Sequence, residues 1–338
     1  MAGIDFDPDK EIPDLRGKVI LITGGTRFQK MKGEKGSGKR LCEGEPGQKI
    51  AWACTSGLGA ESVVQLAKHR PAAIYFTGRN SEAAASILEQ AKALGGSEVD
   101  VVFLQCDLTS LHSVSKATEQ FLASSDRLDV LMCNAGIMAR PPALTQDGYE
   151  IQFGTNHIAH ALLVKKLLPA LLHRARAGGD ARIVLLTSLG YINHPPGGIV
   201  FLTLKTVQDF GAMGSWTRYG QSKLANLLYA RELARRYPEI TTVAIHPGVV
   251  HTGLASSLSF AKRWLVYFYG VFGGGGYLSA AQGVRNQLWG ACGDRRRLAN
   301  GQMYEPVGLP SEQLNDIAKD DKLAEELWNW TERELKDY

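Results

Sequence analysis

The chain has 338 residues, 44% of them hydrophobic, so it is long and apolar enough to bury a sizeable core. Its formal net charge is +4, and residues 27–55, which hold seven lysines and arginines against three glutamates, account for this excess. The rest of the chain is formally neutral. This distribution argues against a general nucleic-acid-binding surface, and no nucleic acid is expected among the partners.

The cysteines and the apolar stretches bear on the cellular compartment. The five cysteines are odd in number, widely spaced and not arranged as CxxC, which favours a reducing compartment over a disulfide framework or a zinc site. The first residues are acidic and lack the apolar core of a signal peptide. Residues 264–272 are strongly apolar but too short to cross a bilayer, and a pocket lining is favoured over a membrane-surface anchor. These features predict a cytoplasmic protein.

Short apolar runs alternate with helical patterns along the chain. Strands are predicted at residues 18–23, 73–77, 99–105, 128–133, 182–187 and 241–245. Helices are predicted at residues 61–69, 81–94, 111–124, 156–175 and 219–237. This alternation predicts βαβ units, and therefore an α/β fold with a doubly wound parallel sheet between two helical layers. We expect a single domain at residues 13–306 and an amphipathic tail helix within residues 307–338.

One predicted helix carries the sequence Tyr219-Gly-Gln-Ser-Lys223. Residues four apart share a helix face, so the phenol and the ammonium can approach one reacting group. A nearby ammonium favours phenolate and lowers a pKa that is about 10 in isolation. Tyr219 is therefore predicted to exchange a proton near neutral pH. This spacing also occurs by chance on many helices.

Other polar groups follow the predicted strands. Ser188 ends one strand, Asn134-Ala-Gly136 ends another, and residues 246–252 (HPGVVHT) follow a third. Asn156 begins a long predicted helix. Because the carboxyl ends of parallel strands meet at one edge of a sheet, these groups are expected to share a cleft with Tyr219.

These segments resemble the short-chain dehydrogenase/reductase family over roughly residues 13–306, apart from residues 27–55. The motifs that carry the resemblance are TGGT and SGLG (23–26 and 56–59), CDL (106–108), CNAG (133–136), TS (187–188), YGQSK (219–223) and HPGVVHTGL (246–254). The region from residue 188 onward is similar to the branch with retinol dehydrogenases and the WW-domain oxidoreductase. The opening residues 6–25 are similar to fungal reductases of secondary metabolism.

The resemblance implies a Rossmann-type fold and hydride exchange between a nicotinamide ring and a carbonyl or alcohol carbon. Tyr219 would be the acid/base, and Ser188 would hold and polarise the substrate oxygen. Lys223 would bind the nicotinamide ribose while lowering the pKa of Tyr219, and Asn156 would hold a water in a proton relay behind it. The family's other cofactor contacts fall on Asp107 at the adenine, on Asn134 and Gly136, and on Pro247, Gly248, Val250 and Thr252 near the carboxamide.

Residues 27–55 separate the two halves of the expected cofactor turn. Without them the chain would read Thr23-Gly24-Gly25-Thr26-Ser56-Gly57-Leu58-Gly59, the family's TGxxxGxG pattern, in which glycines let a helix N-terminus approach the pyrophosphate. The cofactor candidates here are Gly24, Ser56, Gly57, Leu58 and Gly59. We interpret residues 27–55 as a disordered insertion or a retained intron. The GEKGSGKR sequence within them lacks the Ser or Thr that a P-loop needs after its lysine.

The choice of cofactor depends on the residue after the second strand. A cation there suits the 2′-phosphate of NADP(H), whereas a carboxylate suits NAD(H). Arg79 therefore favours NADP(H) over NAD(H), unless it is only a solvated arginine.

The substrate, the partners and one further class of protein complete the expectations. Aromatic residues near 201–216 and 254–277 predict a small, fairly apolar alcohol or ketone, and a monomer and a homodimer are both open. The eight histidines lack metal-binding spacing, so no metal is expected, and His157 and His160 are expected on a helix surface or in the core. The alternative function is a catalytically silent relative that binds a partner or has no activity, because the insertion splits its cofactor turn.

Overall fold

The computed structural model describes residues 3–25, 57–250 and 278–338. Several expectations fall outside these residues and concern Ser56, Thr252, the insertion at 27–55 and the apolar segment at 254–277. The fold and the site below are those of the described residues.

The described residues form one eight-stranded sheet with strand order β3-β2-β1-β4-β5-β6-β7-β8. The strands are β1 (Val19–Ile22), β2 (Ala73–Gly78), β3 (Asp100–Gln105), β4 (Val130–Cys133), β5 (Arg182–Leu186), β6 (Thr241–Ile245), β7 (Met303–Glu305) and β8 (Leu309–Pro310). Neighbouring strands are parallel except for the antiparallel pair β7–β8. The strand order reverses at β1, between β2 and β4, where a doubly wound sheet binds its ligands.

Helices cover both faces of the sheet. In the described residues they are α1 (Pro8–Glu11), α2 (Leu58–Ala67), α3 (Ser81–Gly95), α4 (Leu111–Ser124), α5 (Ile151–Phe153), α6 (Ala159–Arg176), α7 (Gly214–Arg236), α8 (Ala280–Cys292), α9 (Asp316–Lys319) and α10 (Asp321–Glu334). One turn of π-helix, Gly154–Ile158, joins α5 to α6. Short 3-10 helices lie at Leu189–Asn193, Phe201–Thr203, Gly211–Met213 and Arg295–Arg297.

The core consists of two apolar clusters, one on each face of the sheet. In β1, Val19 and Leu21 belong to one cluster and Ile20 and Ile22 to the other, because successive side chains point to opposite faces. Both faces are buried, which explains why the strand reads as a continuous apolar run. The prediction of a Rossmann-type α/β fold in a single domain is confirmed.

The predicted strands end within two residues of the observed ones, whereas two helices begin earlier than predicted. The helix expected from residue 156 is preceded by α5, because the buried Glu150 carboxylate accepts hydrogen bonds from the N–H groups of Gln152 and Phe153. The helix expected from residue 219 begins at Gly214. Both extensions place more of the site on rigid backbone.

Residues on either side of 13–306 also contribute to the fold. Phe6 and Ile12 are buried in the core, and β8 joins the sheet. The tail includes the amphipathic helix α10, which packs on α7 and buries Leu327 and Trp330. No helix in the described ranges is long and apolar enough to span a bilayer.

Candidate active site

The glycine turn lies where β1 meets the start of α2. Gly24 has φ +81°, a conformation that favours glycine. A Cβ on Gly59 would come 2.6 Å from the carbonyl oxygen of Gly24, so the two backbones approach closely. Gly57 is the N-cap of α2, and Leu58 begins the helix and packs against the core. The two predicted halves of the cofactor turn therefore adjoin in space.

Asn134, directly after β4, holds this turn from the neighbouring strand. Its Nδ2 donates to the carbonyl oxygen of Thr23 (2.8 Å), and its Oδ1 accepts from Gln287 Nε2 on α8 (3.2 Å). The N–H of Ala135 donates to Thr23 Oγ1 (3.0 Å). These bonds fix the ends of β1 and β4 relative to each other.

Asn156 lies in the π-helical turn and is fully buried. Its Oδ1 accepts from the N–H of Ile137 (2.8 Å), and its Nδ2 donates to the Ile137 carbonyl and to Ser222 Oγ, each at 2.9 Å. A Cβ on Gly136 would lie 3.1 Å from Asn156 Oδ1 and 3.4 Å from Lys223 Nζ. The structure therefore brings Gly136, Asn156 and Lys223 together.

Ser188 and Tyr219 meet beside Gly190. Ser188 follows β5 and caps a 3-10 helix, its Oγ accepting from the N–H of Gly190 (3.1 Å). Tyr219 lies on α7, is 6% exposed and hydrogen-bonds with Ser188. A Cβ on Gly190 would come 3.2 Å from Tyr219 Cε1 and 3.3 Å from Ser188 Oγ. The two hydroxyl groups thus occupy one small site.

Lys223 lies one helical turn beyond Tyr219. Its Nζ is 5.9 Å from the centre of the Tyr219 ring and donates to the carbonyl oxygen of Leu186 (3.0 Å). Burial lowers the pKa of Lys223 to about 8. Burial also raises the pKa of Tyr219 to about 12, opposed by the hydrogen bond with Ser188.

The expectation that Lys223 lowers the pKa of Tyr219 is therefore wrong for this structure. Removing the phenol from water disfavours phenolate, and the ammonium lies too far from the ring to reverse that effect. Tyr219 is consequently a neutral phenol at neutral pH, the form that donates a proton.

Arg79 and Asp107 lie at the ends of adjacent strands. Gly78 pairs with Gln105 in the β2–β3 register, and the exposed Arg79 follows Gly78 directly. The Asp107 carboxylate accepts from the N–H of Thr109 (3.0 Å) and from its hydroxyl (2.9 Å), so it fixes its own turn. Both candidates lie at the edge of the sheet that carries the glycine turn.

The Pro247-Gly248 turn follows β6 at the same edge. Gly248 has φ +85°, and a Cβ there would come 2.7 Å from Leu278 Cδ1. Val250 forms a parallel bridge with Leu278. This second glycine turn is as sterically restricted as the first.

Two buried side chains at this site have contacts that the sequence did not indicate. His160 is in the core, one of the two expected environments, but it contacts both Thr23 and Asn156. Arg218, next to Tyr219, donates to the carbonyl of Gln208 (2.8 Å) and pairs with Glu150 (3.2 Å). The spacing of Asn156 and His160, four residues apart on a helix, was the available signal for the first. For Arg218 we find none.

The described residues contain no group of three or more His, Cys, Asp or Glu that could hold a metal ion. Cys133 is fully buried, and burial raises the pKa of its thiol well above its usual range. A thiol in that state does not act as a nucleophile.

Comparisons with known proteins agree with this geometry. The short chain dehydrogenase family profile matches residues 50–205. The short-chain dehydrogenase/reductase drtF of Aspergillus calidoustus is 32% identical, with 96% of each chain covered. The chain belongs to the short-chain dehydrogenase/reductase family. An oxidoreductase of Schizosaccharomyces pombe is also 32% identical, over 97% of this chain and 87% of the relative. Our protein is therefore an oxidoreductase of this family.

Solved structures share the family fold. A protein of Mycobacterium paratuberculosis is 26% identical, has a TM-score of 0.67, and is covered to 98% by 99% of this chain. The NADPH-bound carbonyl reductase from chicken fatty liver is 20% identical with a TM-score of 0.55, over 88% of this chain and 99% of the other. The NADH-dependent reductase A1-R′ in complex with NAD is 18% identical with a TM-score of 0.57, over 87% and 97%. The last two show the fold alone.

Proposed function

We propose that this protein is an NADP(H)-dependent oxidoreductase that interconverts a carbonyl group and a primary or secondary alcohol on a small, fairly apolar substrate. The observation that carries the proposal is the convergence of Ser188, Tyr219 and Lys223 beside Asn156 and the glycine turn. Each comes from a different part of the chain, and only the fold unites them. A silent binding protein has no need of this arrangement.

The residues fit a nicotinamide dinucleotide. The close approach of Gly24 and Gly59 leaves bare backbone at the N-terminus of α2, where free N–H groups favour a pyrophosphate. Lys223 would hold the nicotinamide ribose, and Asn134 and Gly136 would lie beside it. The Pro247-Gly248 turn would border the nicotinamide. When bound, the cofactor supplies or accepts the hydride.

The chain's own residues then act on the substrate oxygen. The neutral phenol of Tyr219 donates its proton to the oxygen as a carbonyl is reduced, and Ser188 holds that oxygen by a hydrogen bond. The Lys223 ammonium stabilises the phenolate that remains. Asn156 would connect Lys223 to solvent through a water, which returns the proton.

Arg79 supports NADP(H) over NAD(H). It is exposed directly after β2, and the next residue, Asn80, caps α3 by accepting from the N–H groups of Glu82 and Ala83. No carboxylate side chain follows the strand before Glu82. The position therefore offers a cation where a 2′-phosphate would lie.

The proposed substrate is apolar because the surroundings of Tyr219 are apolar. The Trp216 ring lies edge-on to the Tyr219 ring, with centroids 6.2 Å apart. We place the activity in the cytoplasm, in line with three buried free cysteines, Cys106, Cys133 and Cys292.

The test is calorimetric titration with NADPH and NADH of the full chain and of a variant lacking residues 27–55. NADPH binding by both forms supports the proposal and an insertion that leaves the turn intact. Binding by the deletion variant alone supports a retained intron and a disabled full chain. Failure of both forms to bind either cofactor would refute the proposal, and sequencing the transcript decides independently whether residues 27–55 are encoded by an intron.

A further inference from the structure

We propose that His160 is a positioning residue whose imidazole ring joins the cofactor turn at Thr23 to the relay residue Asn156. The inference rests on the proposed function, because it assigns His160 a part in organising that same site. It differs from a core histidine in that both ring nitrogens contact residues of the site.

His160 lies in the first turn of α6, four residues after Asn156, and is 1% exposed. Its Nδ1 is 2.9 Å from the backbone carbonyl oxygen of Asn156, and its Nε2 is 2.9 Å from Thr23 Oγ1. Thr23 and His160 are 137 residues apart in the sequence. The preceding turn is π-helical, with the N–H of Ala159 donating to the carbonyl of Gly154.

The partners of the ring allow one consistent arrangement of hydrogens. The N–H of Ala135 donates to Thr23 Oγ1 (3.0 Å), so the hydroxyl hydrogen of Thr23 is available to His160 Nε2. A carbonyl oxygen can only accept, so the hydrogen of His160 lies on Nδ1 and points at Asn156. Burial lowers the pKa of His160 to about 4, opposed by the Asn156 bond, which leaves the ring neutral at neutral pH.

The bridge joins two hydrogen-bonded groups. On one side, Thr23 accepts from Asn134 and Ala135 at the ends of β1 and β4. On the other side, Asn156 bonds to Ile137 and to Ser222, which lies beside Lys223. Among the described residues, His160 is the one side chain that bonds to both Thr23 and Asn156.

His157 provides a matched control on the same helical segment. It is also 1% exposed, but its Nε2 bonds to Thr331 Oγ1 on α10 (3.1 Å). Its ring packs edge-on against Phe153 and Tyr229. It therefore shares the burial of His160 without any of its contacts to the site.

The experiment compares His160→Phe with His157→Phe in the full chain. Each variant keeps an aromatic ring and loses its hydrogen bonds, and each is assayed for its NADPH dissociation constant and for its stability to urea. We expect His160→Phe to raise the dissociation constant about tenfold, because Thr23 and Asn156 lose their common partner, and His157→Phe to leave it within about twofold. Equal dissociation constants in the two variants would overturn the inference, whatever their stabilities.

A double-mutant cycle tests the bridge itself. Thr23→Val removes the hydroxyl group that His160 contacts, so Thr23→Val and His160→Phe act on one interaction. We expect the double variant to bind NADPH about as well as the weaker single variant. Multiplication of the two single effects would contradict the bridge.

A readout without cofactor separates this inference from the proposed function. If the wild-type chain binds neither NADPH nor NADH, the proposed function and the positioning role fail together. The bridge is then judged by nitrogen-15 NMR of the His160 ring at pH 7. A neutral Nδ1–H ring whose Nε2 shift changes in Thr23→Val supports it, and an Nε2–H or doubly protonated ring overturns it.

Discussion

Gly59 on α2 lies directly against Gly24 at the end of β1. A Cβ on Gly59 would come 2.6 Å from the Gly24 carbonyl oxygen and 2.7 Å from Asn134 Nδ2, closer than side-chain carbons approach such atoms. The helix therefore starts on the backbone of the strand, although 34 residues separate the two glycines in the sequence.

This contact predicts that Gly59→Ala destabilises the protein. The extra methyl group must displace the turn backbone, at a cost of about 1–3 kcal/mol in the free energy of unfolding, and should weaken NADPH binding as well. Gly57→Ala is the matched comparison for stability, because a Cβ there meets no described atom within 4 Å and its φ is −96°. Urea unfolding curves measure the difference. Equal losses in the two variants would contradict the close approach.

A second prediction concerns Arg79. If its guanidinium binds the 2′-phosphate, Arg79→Gln raises the dissociation constant for NADPH about ten- to hundredfold and leaves that for NADH unchanged. Arg297→Gln is the charge-matched control, since exposed Arg297 lies near the carboxyl end of α8, whose Gly290 carbonyl accepts from Arg182 at the start of β5. Equal weakening for both cofactors, or none, would show that Arg79 does not read the phosphate.

A third prediction follows from the burial of Lys223. Burial lowers its pKa to about 8, so the ammonium is lost as the pH rises through that value. We expect NADPH binding to weaken above about pH 8, because a neutral amine holds the ribose hydroxyl groups less well. Lys223→Met should bind more weakly at pH 7 and show a flat profile from pH 7 to 9.5. A falling profile in Lys223→Met would assign the titration to another group.

The buried histidines predict sensitivity to acid. Burial lowers the pKa of His157 to about 3 and those of His160 and His246 to about 4, whereas an unfolded histidine titrates near 6.5. Their contribution is fully present above pH 6.5 and is lost as the pH falls toward 4, at up to about 1.4 kcal/mol per pH unit for each ring. His157→Phe should therefore flatten the dependence by one ring.

Urea midpoints at pH 7, 6 and 5 measure this effect, with exposed His173→Gln as the control. Burial raises the pKa of Glu150 to about 7, so that group acts in the opposite direction over this range. Comparing each variant with wild type at every pH cancels this contribution. Parallel curves for wild type and His157→Phe would refute the assignment.

Local pattern was sufficient to predict the central strands and most helices. β1 and β2 are short apolar runs buried on both faces, so their limits follow from composition. The starts of α5 and α7 did not follow, since one depends on the Glu150 cap and neither interrupts an apolar period. We also did not predict β7 and β8, which have three and two residues.

The site was predictable where it depends on strand ends and not where it depends on burial. Ser188 and Tyr219 meet, as their positions after β5 and on α7 indicated. The direction of the Tyr219 pKa shift could not be derived, because spacing does not reveal how far a phenol lies from water. His160 was judged only by metal-binding spacing, whereas its partners are a distant hydroxyl and a backbone carbonyl.

The helix α10 has a consequence for how the chain leaves the ribosome. Its Thr331 bonds to His157, its Glu334 accepts from the Tyr149 hydroxyl (2.8 Å), and Trp328 stacks on Tyr229 of α7. These partners are all synthesised at least ninety residues before it. During translation the apolar surface of α7 therefore stays uncovered until residues 321–334 emerge. Completion of this face of the core is a late, post-synthetic event, and a nascent chain stalled before residue 321 exposes a ready surface to chaperones.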